Sequence, residues 1–281
     1  GYPVSVCVSS TKYSISPIAP FLSAWRQRDL LWQLTRRDVV GRYRGSMMGL
    51  LWSFFNPLLM LAVYTFVFSE VFQARWGQGN AGRTDFAILL FAGMIVHALF
   101  AECVNRAPNL ILSHPGYVKK VVFPLEILPW MALASTLFHA AISVLVLLLF
   151  FAVVHAYIHW TAVFLPVVLL PLALLTIGFS WFLASVGVFL RDVGQTTGFV
   201  TTAMMFLSPV FYPASALPEG YRQLLHLNPL TFIIEQSRDV LVWGKAPDWQ
   251  GLAVYFAVSV VVGWLGFFWF QKTRKGFADV L

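Results

Sequence analysis

The chain has 281 residues, of which 59% are hydrophobic and 11% are charged. Soluble domains carry about 25% charged residues, so this composition indicates a membrane protein and excludes an ordinary soluble domain. A net charge of +7 is compatible with nucleic-acid binding, but in a membrane chain it more often reflects lysine and arginine on the cytosolic side. We therefore expect no nucleic-acid partner. The two cysteines, Cys7 and Cys103, lie in a tail and in an apolar run, which supports neither a disulfide framework nor a metal site.

The N-terminal region divides into a tail and an arginine-rich helix. Residues 1–20 are predicted to be a flexible tail, and they lack the order of basic, apolar and small residues of a signal peptide. Residues 21–46 are predicted to form a cytosolic interface helix with apolar residues on two sides, so it could lie in the headgroups and also against a partner. The alternative is a juxtamembrane helix whose arginines contact anionic lipid.

Six apolar runs are predicted to cross the membrane as helices. The first is about 22 residues long and would measure about 33 Å, enough for a bilayer. Asn56 and Pro57 interrupt it, and a proline inside a helix opens a kink. The predicted spans are 47–68, 85–105, 126–155, 161–190, 194–211 and 251–270.

A short basic elbow, Ser113–Trp130, connects the second and third spans. It opens with a predicted Pro-Gly turn at Pro115 and Gly116, and Lys119 and Lys120 sit at a membrane edge. One interpretation is that force from another protein enters at this elbow. The other is an ordinary connecting loop with snorkelling lysines.

Three connections are predicted to lie on the other side of the membrane, and two of them stand out. The first is a loop containing Gly77, Gly79 and Gly82. The second carries Pro209, Pro213, Pro218 and Pro229 within 21 residues. That segment is too apolar for a solvated loop and too broken to span, which favours short re-entrant helices between spans five and six. The helix from Pro229 to Trp243 is predicted to end at Gly244.

The positive charges favour one orientation. Fourteen of the nineteen lysines and arginines fall on the side that holds the N-terminal helix, the elbow and the C-terminus. This bias predicts a multi-pass protein with both termini in the cytosol.

The ionisable residues within the predicted spans are few. His139 is expected to be a neutral histidine bonded to a neighbouring helix, and Glu102 is expected to pair with Arg106 one turn along. The chain has no GxxxxGK[ST] motif, so it does not bind ATP in that way. We therefore assign no catalytic residue and expect no cofactor and no enzymatic activity in this chain itself.

Three stretches carry a resemblance to a known family: RRDVVGRYRGSMMGLLWSFFNPLL at 36–59, VKKVVFPLEILP at 118–129, and RDV followed by LSPVFYPASALPEGYRQLLHLNPL between 191 and 230. With them the chain resembles the permease subunits of ABC transporters that export polysaccharides, the Wzm/TagG-like group, over about residues 25 to 272. His97 departs from the family pattern, which tends to have tryptophan there.

This resemblance implies a homodimeric permease with two copies of a separate ATPase subunit, which binds ATP and Mg. It also implies that the elbow docks on that ATPase. The residues expected to couple the two subunits are Tyr117, Val118, Lys119, Lys120, Phe123 and Pro124.

The resemblance also implies a channel between the first and fifth spans. Aromatic faces suit weak, repeated contacts with sugars. The expected lining residues are Trp52, Phe55, Tyr64 and Phe206, and the expected outer gate is Pro209, Phe211, Tyr212 and Leu217. Arginine suits phosphate oxygens, and Arg36, Arg37, Arg42 and Arg44 are placed to meet a lipid diphosphate, the ATPase or membrane lipids.

The resulting expectation is a permease that exports lipid-linked polysaccharide, most like O-antigen, across the bacterial inner membrane. The same architecture would also serve capsule polysaccharide, teichoic acid or a small drug-like molecule. A membrane-embedded acyl- or glycosyltransferase is the alternative from another class. It needs an acid beside a histidine, and the sequence shows none near His155 or His159.

Overall fold

The computed structural model describes residues 13–71, 82–120 and 122–281. Every regular element in these ranges is helical, which confirms the all-α prediction. Gly77 and Gly79 of the predicted loop lie outside the described residues. Within the described ranges, twelve α-helices follow one another: α1 Ala19–Arg26, α2 Arg28–Arg42, α3 Trp52–Thr65, α4 Arg83–Leu110, α5 Pro115–Val118, α6 Ile127–His155, α7 Leu165–Phe189, α8 Val193–Phe206, α9 Glu219–Leu227, α10 Pro229–Arg238, α11 Trp249–Thr273 and α12 Phe277–Val280.

Short 3-10 and π turns extend several of these helices. They cover Gly49–Leu51, Phe66–Val71, Trp160–Phe164, Ala214–Ala216, Asp239–Trp243 and Arg274–Gly276. The last turn after α10 ends at Gly244, whose φ of 66° is left-handed, as the sequence predicts.

Five helical segments in the described part are long and apolar enough to cross a membrane: Gly49–Phe68, Thr84–Leu110, Ile127–His155, Trp160–Phe189 and Trp249–Val280. The predicted fifth span corresponds to α8, which has 14 residues. That is about 21 Å of helix, short of the roughly 30 Å of a hydrocarbon core. The count of six spans is therefore not confirmed, and the re-entrant depth of α9 and α10 stays a prediction.

The N-terminal helix differs from the single helix predicted over 21–46. It is broken at Gln27 into α1 and α2. The first helix starts at Ala19, and both Ala19 and Pro20 are buried, so the end of the predicted tail is helical. The second helix stops at Arg42 because the chain turns at Gly45, whose φ is 84°.

Small residues bring the central helices close together. A Cβ on Gly266 of α11 would collide with the carbonyl oxygen of Gly178 on α7, and one on Gly187 would collide with Pro108 of α4. Such close helix contacts are typical of membrane bundles, where small residues let backbones approach. The helix α4 is enclosed by its neighbours. In its most apolar stretch 83% of the residues are buried, against 11% in that of Gly49–Phe68.

Charged elements gather at one end of the bundle, which we call the basic end. It holds α2, α5 and the turn Arg274–Gly276, above a buried aromatic cluster. Trp181 lies at its centre, with ring centroids 5.6 Å from Trp130 and 5.0 Å from Phe267. These rings give the elbow a packed base.

Candidate functional site

The elbow is a compact aromatic stack. The Tyr117 ring lies between His114, at a centroid distance of 5.3 Å, and Phe123, at 4.1 Å, and both pairs are nearly parallel. The Lys120 ammonium lies 5.6 Å from the Tyr117 ring centroid, within cation–π range. The predicted Pro-Gly turn is instead the start of α5, because Pro115 occupies the first turn of that helix.

The tip of the elbow faces outward. Lys119 and Lys120 are exposed, and Val122 is 91% exposed. Four other predicted coupling residues are half-buried beneath them: Tyr117, Val118, Phe123 and Pro124. The stack therefore presents two cations and an apolar side chain on a supported surface.

A buried ion pair, missed by the sequence reasoning, fastens the base of the elbow. Arg274 Nη1 lies 2.5 Å from Glu126 Oε2, and Arg274 Nη2 donates to the Phe123 carbonyl at 2.6 Å. Glu126 Oε1 also accepts from Ser23 Oγ at 2.9 Å. The elbow is thus bonded to α1 and to the end of α11. In the sequence Arg274 is one of three basic residues that follow the last predicted span, 251–270, and nothing local marks its partner.

Two crossed ion pairs hold α2 against α4. Arg106 donates to Asp38 Oδ2 at 2.8 Å, and Arg42 Nη2 lies 2.5 Å from Glu102 Oε1. The predicted pair between Glu102 and Arg106 is therefore wrong, because the crossing helix offers each a better placed partner. All four side chains are partly exposed, so each pair contributes on the order of 1 kcal/mol or less and mainly orients the helix.

The electrostatics of α2 follow from this crossing. Burial raises the pKa of the Asp38 carboxyl, but hydrogen bonds and the charge of Arg106 outweigh it, so the pKa lies below its usual value. Burial lowers the pKa of Arg42, but Glu102 outweighs it and raises that pKa. Both groups are charged at neutral pH.

His139 meets the end of α2, which confirms that it bonds to a neighbouring helix. Its Nε2 lies 2.9 Å from Tyr43 Oη, and its Nδ1 lies 2.8 Å from the Ser135 carbonyl oxygen. The carbonyl needs a donor at Nδ1, and Arg42 Nη1, 3.5 Å from Nε2, needs an acceptor there. Nδ1 is thus the donor to the carbonyl, and Nε2 faces Tyr43 and Arg42.

The four predicted phosphate-binding arginines do not form one cluster. Arg37 and Arg42 line a polar cavity of about 420 Å³ between α2 and the elbow. Asp38 and Arg106 also line that cavity, together with five further residues that include His114 and Tyr117 of the elbow. Arg36 lines a different groove on the other flank of α2, and Arg44 is exposed beyond the end of that helix.

The proline-broken segment is fixed by a buried arginine. Arg238 of α10 is 4% exposed, and its guanidinium donates to the Leu89 carbonyl at 2.9 and 3.0 Å, to Val210 at 2.9 Å and to Pro209. Prolines leave nearby carbonyls without helix partners, and this guanidinium supplies donors. The sequence placed Arg238 among the loop charges, and no local pattern marked it as buried.

Of the predicted gate residues, Pro209 bonds to that arginine, and the others have partners of their own. Pro209 is buried, Phe211 stacks on Phe206 at 5.4 Å, and Tyr212 Oη donates to the Phe206 carbonyl at 2.8 Å. The carbonyl of Leu217 accepts from Arg222 at 2.8 Å.

The predicted lining residues are divided between two places. Phe206 joins the gate cluster and is 56% exposed. Trp52 and Phe55 are half-buried in the first turn of α3, and Tyr64 packs against the central core. The structure therefore brings Phe206 together with Phe211 and Tyr212 of the predicted gate.

The other end of the bundle carries an acid beside a histidine, contrary to expectation. His155 Nε2 lies 2.7 Å from Asp85 Oδ1, and Asp85 Oδ2 also accepts from the Gly82 backbone at the start of α4. The acid was missed because it comes from another helix, 70 residues away. Asp85 thus serves as a helix cap. No group of three metal-ligating side chains occurs among the described residues.

Comparison with known proteins covers these elements. The family model for the ABC-2 type transporter matches residues 29–242, from α2 through the elbow to the turn after α10. This chain belongs to the ABC-2 type transporter family.

Several relatives of this ABC-2 chain are named for polysaccharide transport. It is 29% identical over 257 residues to the O-antigen export system permease protein RfbA of Myxococcus xanthus, covering 91% of this chain and 96% of that protein. It is 25% identical to RfbA of Klebsiella pneumoniae, covering 90% and 95%. It is 23% identical to the polysialic acid transport protein KpsM of Escherichia coli, covering 81% and 88%.

Proposed function

We propose that this chain is the permease subunit of an ATP-driven exporter that moves lipid-linked polysaccharide, of the O-antigen type, out of the cytosol. The observation that carries this proposal is the match, over about nine-tenths of the chain, to permeases named for O-antigen export. The fold adds a bundle with membrane-spanning helices and a polar, basic end.

The proposed energy source is a separate ABC ATPase that carries ATP and Mg, with two copies in the complex. The exposed tip of the elbow supports this part of the proposal, since Lys119, Lys120 and Val122 project from a rigid base. A surface that transmits force must itself be held. The Glu126–Arg274 pair holds the elbow to α1 and α11.

A second copy of this chain is the proposed partner within the membrane. In the apolar stretch of Gly49–Phe68 only 11% of the residues are buried, and α8 exposes Phe199 and Phe206. These apolar faces would be covered by the other copy, with the sugar path between the two. Trp52, Phe55, Tyr64 and Phe206 remain the proposed lining, and Pro209, Phe211, Tyr212 and Leu217 the proposed gate.

The proposed location is the bacterial inner membrane with the basic end and both termini in the cytosol. Arg238 is one of the five lysines and arginines that fall on the opposite side, but it is buried. Leaving it out makes the charge bias stronger. The lipid carrier would present its diphosphate near Arg37 and Arg42, whose cavity adjoins the elbow.

A second candidate cargo is a capsule-type polysaccharide, which the similarity to a polysialic acid transport protein favours. The similar proteins named above do not favour teichoic acid or a small drug-like cargo. The acyl- or glycosyltransferase alternative has an acid beside His155, but that acid caps a helix.

The test is loss of the gene in the native cell. We expect lipid-linked polysaccharide to accumulate on the cytosolic side while surface polysaccharide disappears, and its sugar composition to identify the cargo. Expression of the chain from a plasmid should restore surface display. Normal surface polysaccharide in the deletion strain would contradict the proposal.

A further inference from the structure

An apolar groove runs along the flank of α2 that faces away from the crossed ion pairs. Its volume is about 710 Å³, larger than the polar cavity on the other flank. Its walls come from α2, from the turn before α3 and from α6. The apolar lining includes Leu31, Val39, Leu50, Ala134, Leu137 and Phe138.

The rim of this groove is basic and aromatic. Arg28, Trp32 and Arg36 follow one another at four-residue spacing along α2, so they share one face. Trp32 is 69% exposed, as expected for a ring at a membrane interface. Two guanidinium groups therefore lie beside the apolar groove, whose floor we call the trough.

These arginines differ from those on the opposite flank. Arg42 and Arg106 are matched by Glu102 and Asp38. No ion pair joins Arg28 or Arg36 to a carboxylate in the part of the chain that the structure describes. Arg28 instead donates to the Trp25 carbonyl and lies 5.1 Å from the Trp25 ring centroid. The rim thus carries positive charge that an external anion would complement.

We propose that the groove binds an anionic phospholipid of the leaflet next to the basic end. One acyl chain lies in the trough between α2 and α6, and the phosphate lies between Arg28 and Arg36. The two arginines are about 12 Å apart along the helix axis, within reach of one headgroup through their long side chains. A zwitterionic lipid would fit the trough but has no net charge to match the rim.

The bound lipid would complete the contacts that hold α2 against the bundle. Asp38 and Arg42 hold one flank by ion pairs, and the lipid would hold the other flank against Ala134 and Phe138 of α6. A ligand that binds only the folded protein stabilises it by mass action. This inference rests on the geometry of α2 and is independent of the exported cargo.

The test uses the purified chain in detergent with phosphatidylglycerol or phosphatidylcholine added. Native mass spectrometry measures retained lipid, and thermal unfolding measures stabilisation. We expect phosphatidylglycerol to be retained preferentially and to raise the Tm. Each arginine near an anionic surface changes binding about fivefold, so the double variant Arg28→Gln/Arg36→Gln should lose at least tenfold.

Filling the trough tests the acyl-chain part separately. Ala134→Trp places a ring in the groove, and Ala134→Leu is a milder variant if the larger one fails to fold. The matched controls are Ala141→Trp, which lies on α6 outside this groove, and Lys272→Gln/Lys275→Gln, which removes two exposed charges elsewhere at the basic end. Both controls should retain phosphatidylglycerol as the wild type does.

Three results would overturn the proposal. The first is equal retention of the two lipids by the wild type. The second is unchanged retention in both the arginine and the Ala134 variants. The third is complete displacement of phosphatidylglycerol by a polyprenyl diphosphate at equal concentration, which would assign the groove to the carrier lipid instead.

Discussion

Replacing Glu126 with glutamine removes one charge from the ion pair at the base of the elbow. The side chains of Arg274 and Glu126 are 8% and 12% exposed, so water screens the pair little. Breaking such a buried pair from one side costs about 3–5 kcal/mol, because the remaining charge stays buried without its partner. Arg274 keeps its bond to the Phe123 carbonyl, which places the expected loss of unfolding free energy near the lower value.

A double-mutant cycle separates the pair from its surroundings. The variants are Glu126→Gln, Arg274→Met and the two combined, and reversible unfolding in detergent measures each free energy. Because each single change strands the other group, the double variant should lose less than the sum of the singles, by at least about 1 kcal/mol. The exposed neighbour Lys275→Gln is the control, and it should stay within about 0.5 kcal/mol of wild type.

Additive losses would refute the reasoning, since they would mean that Glu126 and Arg274 do not stabilise the fold through each other. A functional readout accompanies the cycle. If the elbow transmits force through this pair, Glu126→Gln lowers export per ATP hydrolysed more than Lys275→Gln does. Equal coupling in both variants would leave the pair with a structural role alone.

Three further predictions concern the elbow, the gate and the topology. Lys119→Glu/Lys120→Glu should insert normally but lose coupling to the ATPase, measured as export and ATP turnover in the purified complex; unchanged values for both would make the elbow a connecting loop. Small polar replacements in the gate, namely Phe211→Ser, Tyr212→Ser and Leu217→Ser, should raise resting ion flux in liposomes without ATP, because a polar constriction stays wet. Wild-type flux in all three variants would place the gate elsewhere. A cysteine at Gly220 should label from outside intact cells and one at Gly276 should not, since the charge bias puts the basic end in the cytosol; outside labelling at Gly276 would overturn the orientation.

Local signals predicted the long helices well. The third span was expected over 126–155, and α6 covers Ile127–His155. An apolar run of this length has one stable form in a membrane, which is a helix with its backbone bonds satisfied internally. Prolines near the start and a left-handed Ala156 after the end bound it.

The fifth span was predicted less well because apolar character alone does not extend a helix. The run was expected to reach 211, but α8 ends at Phe206. Pro209 has no backbone N–H and cannot donate the next hydrogen bond of the helix. The neighbouring α4 runs past its predicted end at 105 to Leu110. Its polar residues there find partners on other helices, with Asn105 accepting from Thr201 and Arg106 bonding to Asp38.

Side-chain partners were the part that the sequence could not predict. Arg238 bonds to a residue 149 positions away, and Arg274 to one 148 positions away. The spacing within one helix indicated a Glu102–Arg106 pair, yet both residues bond to α2. Which groups meet depends on where helices cross, and no local pattern in one sequence carries that information.

Transport in a defined system tests the central claim most directly. The measurement reconstitutes this chain with its partner ATPase in liposomes, adds lipid-linked polysaccharide on the ATPase side, and detects polymer on the other side with an impermeant sugar-binding probe. The account predicts translocation that requires ATP hydrolysis, this chain and the lipid link together. ATP hydrolysis by an assembled, correctly oriented complex with no polymer crossing, for both O-antigen and capsule-type substrates, would contradict it.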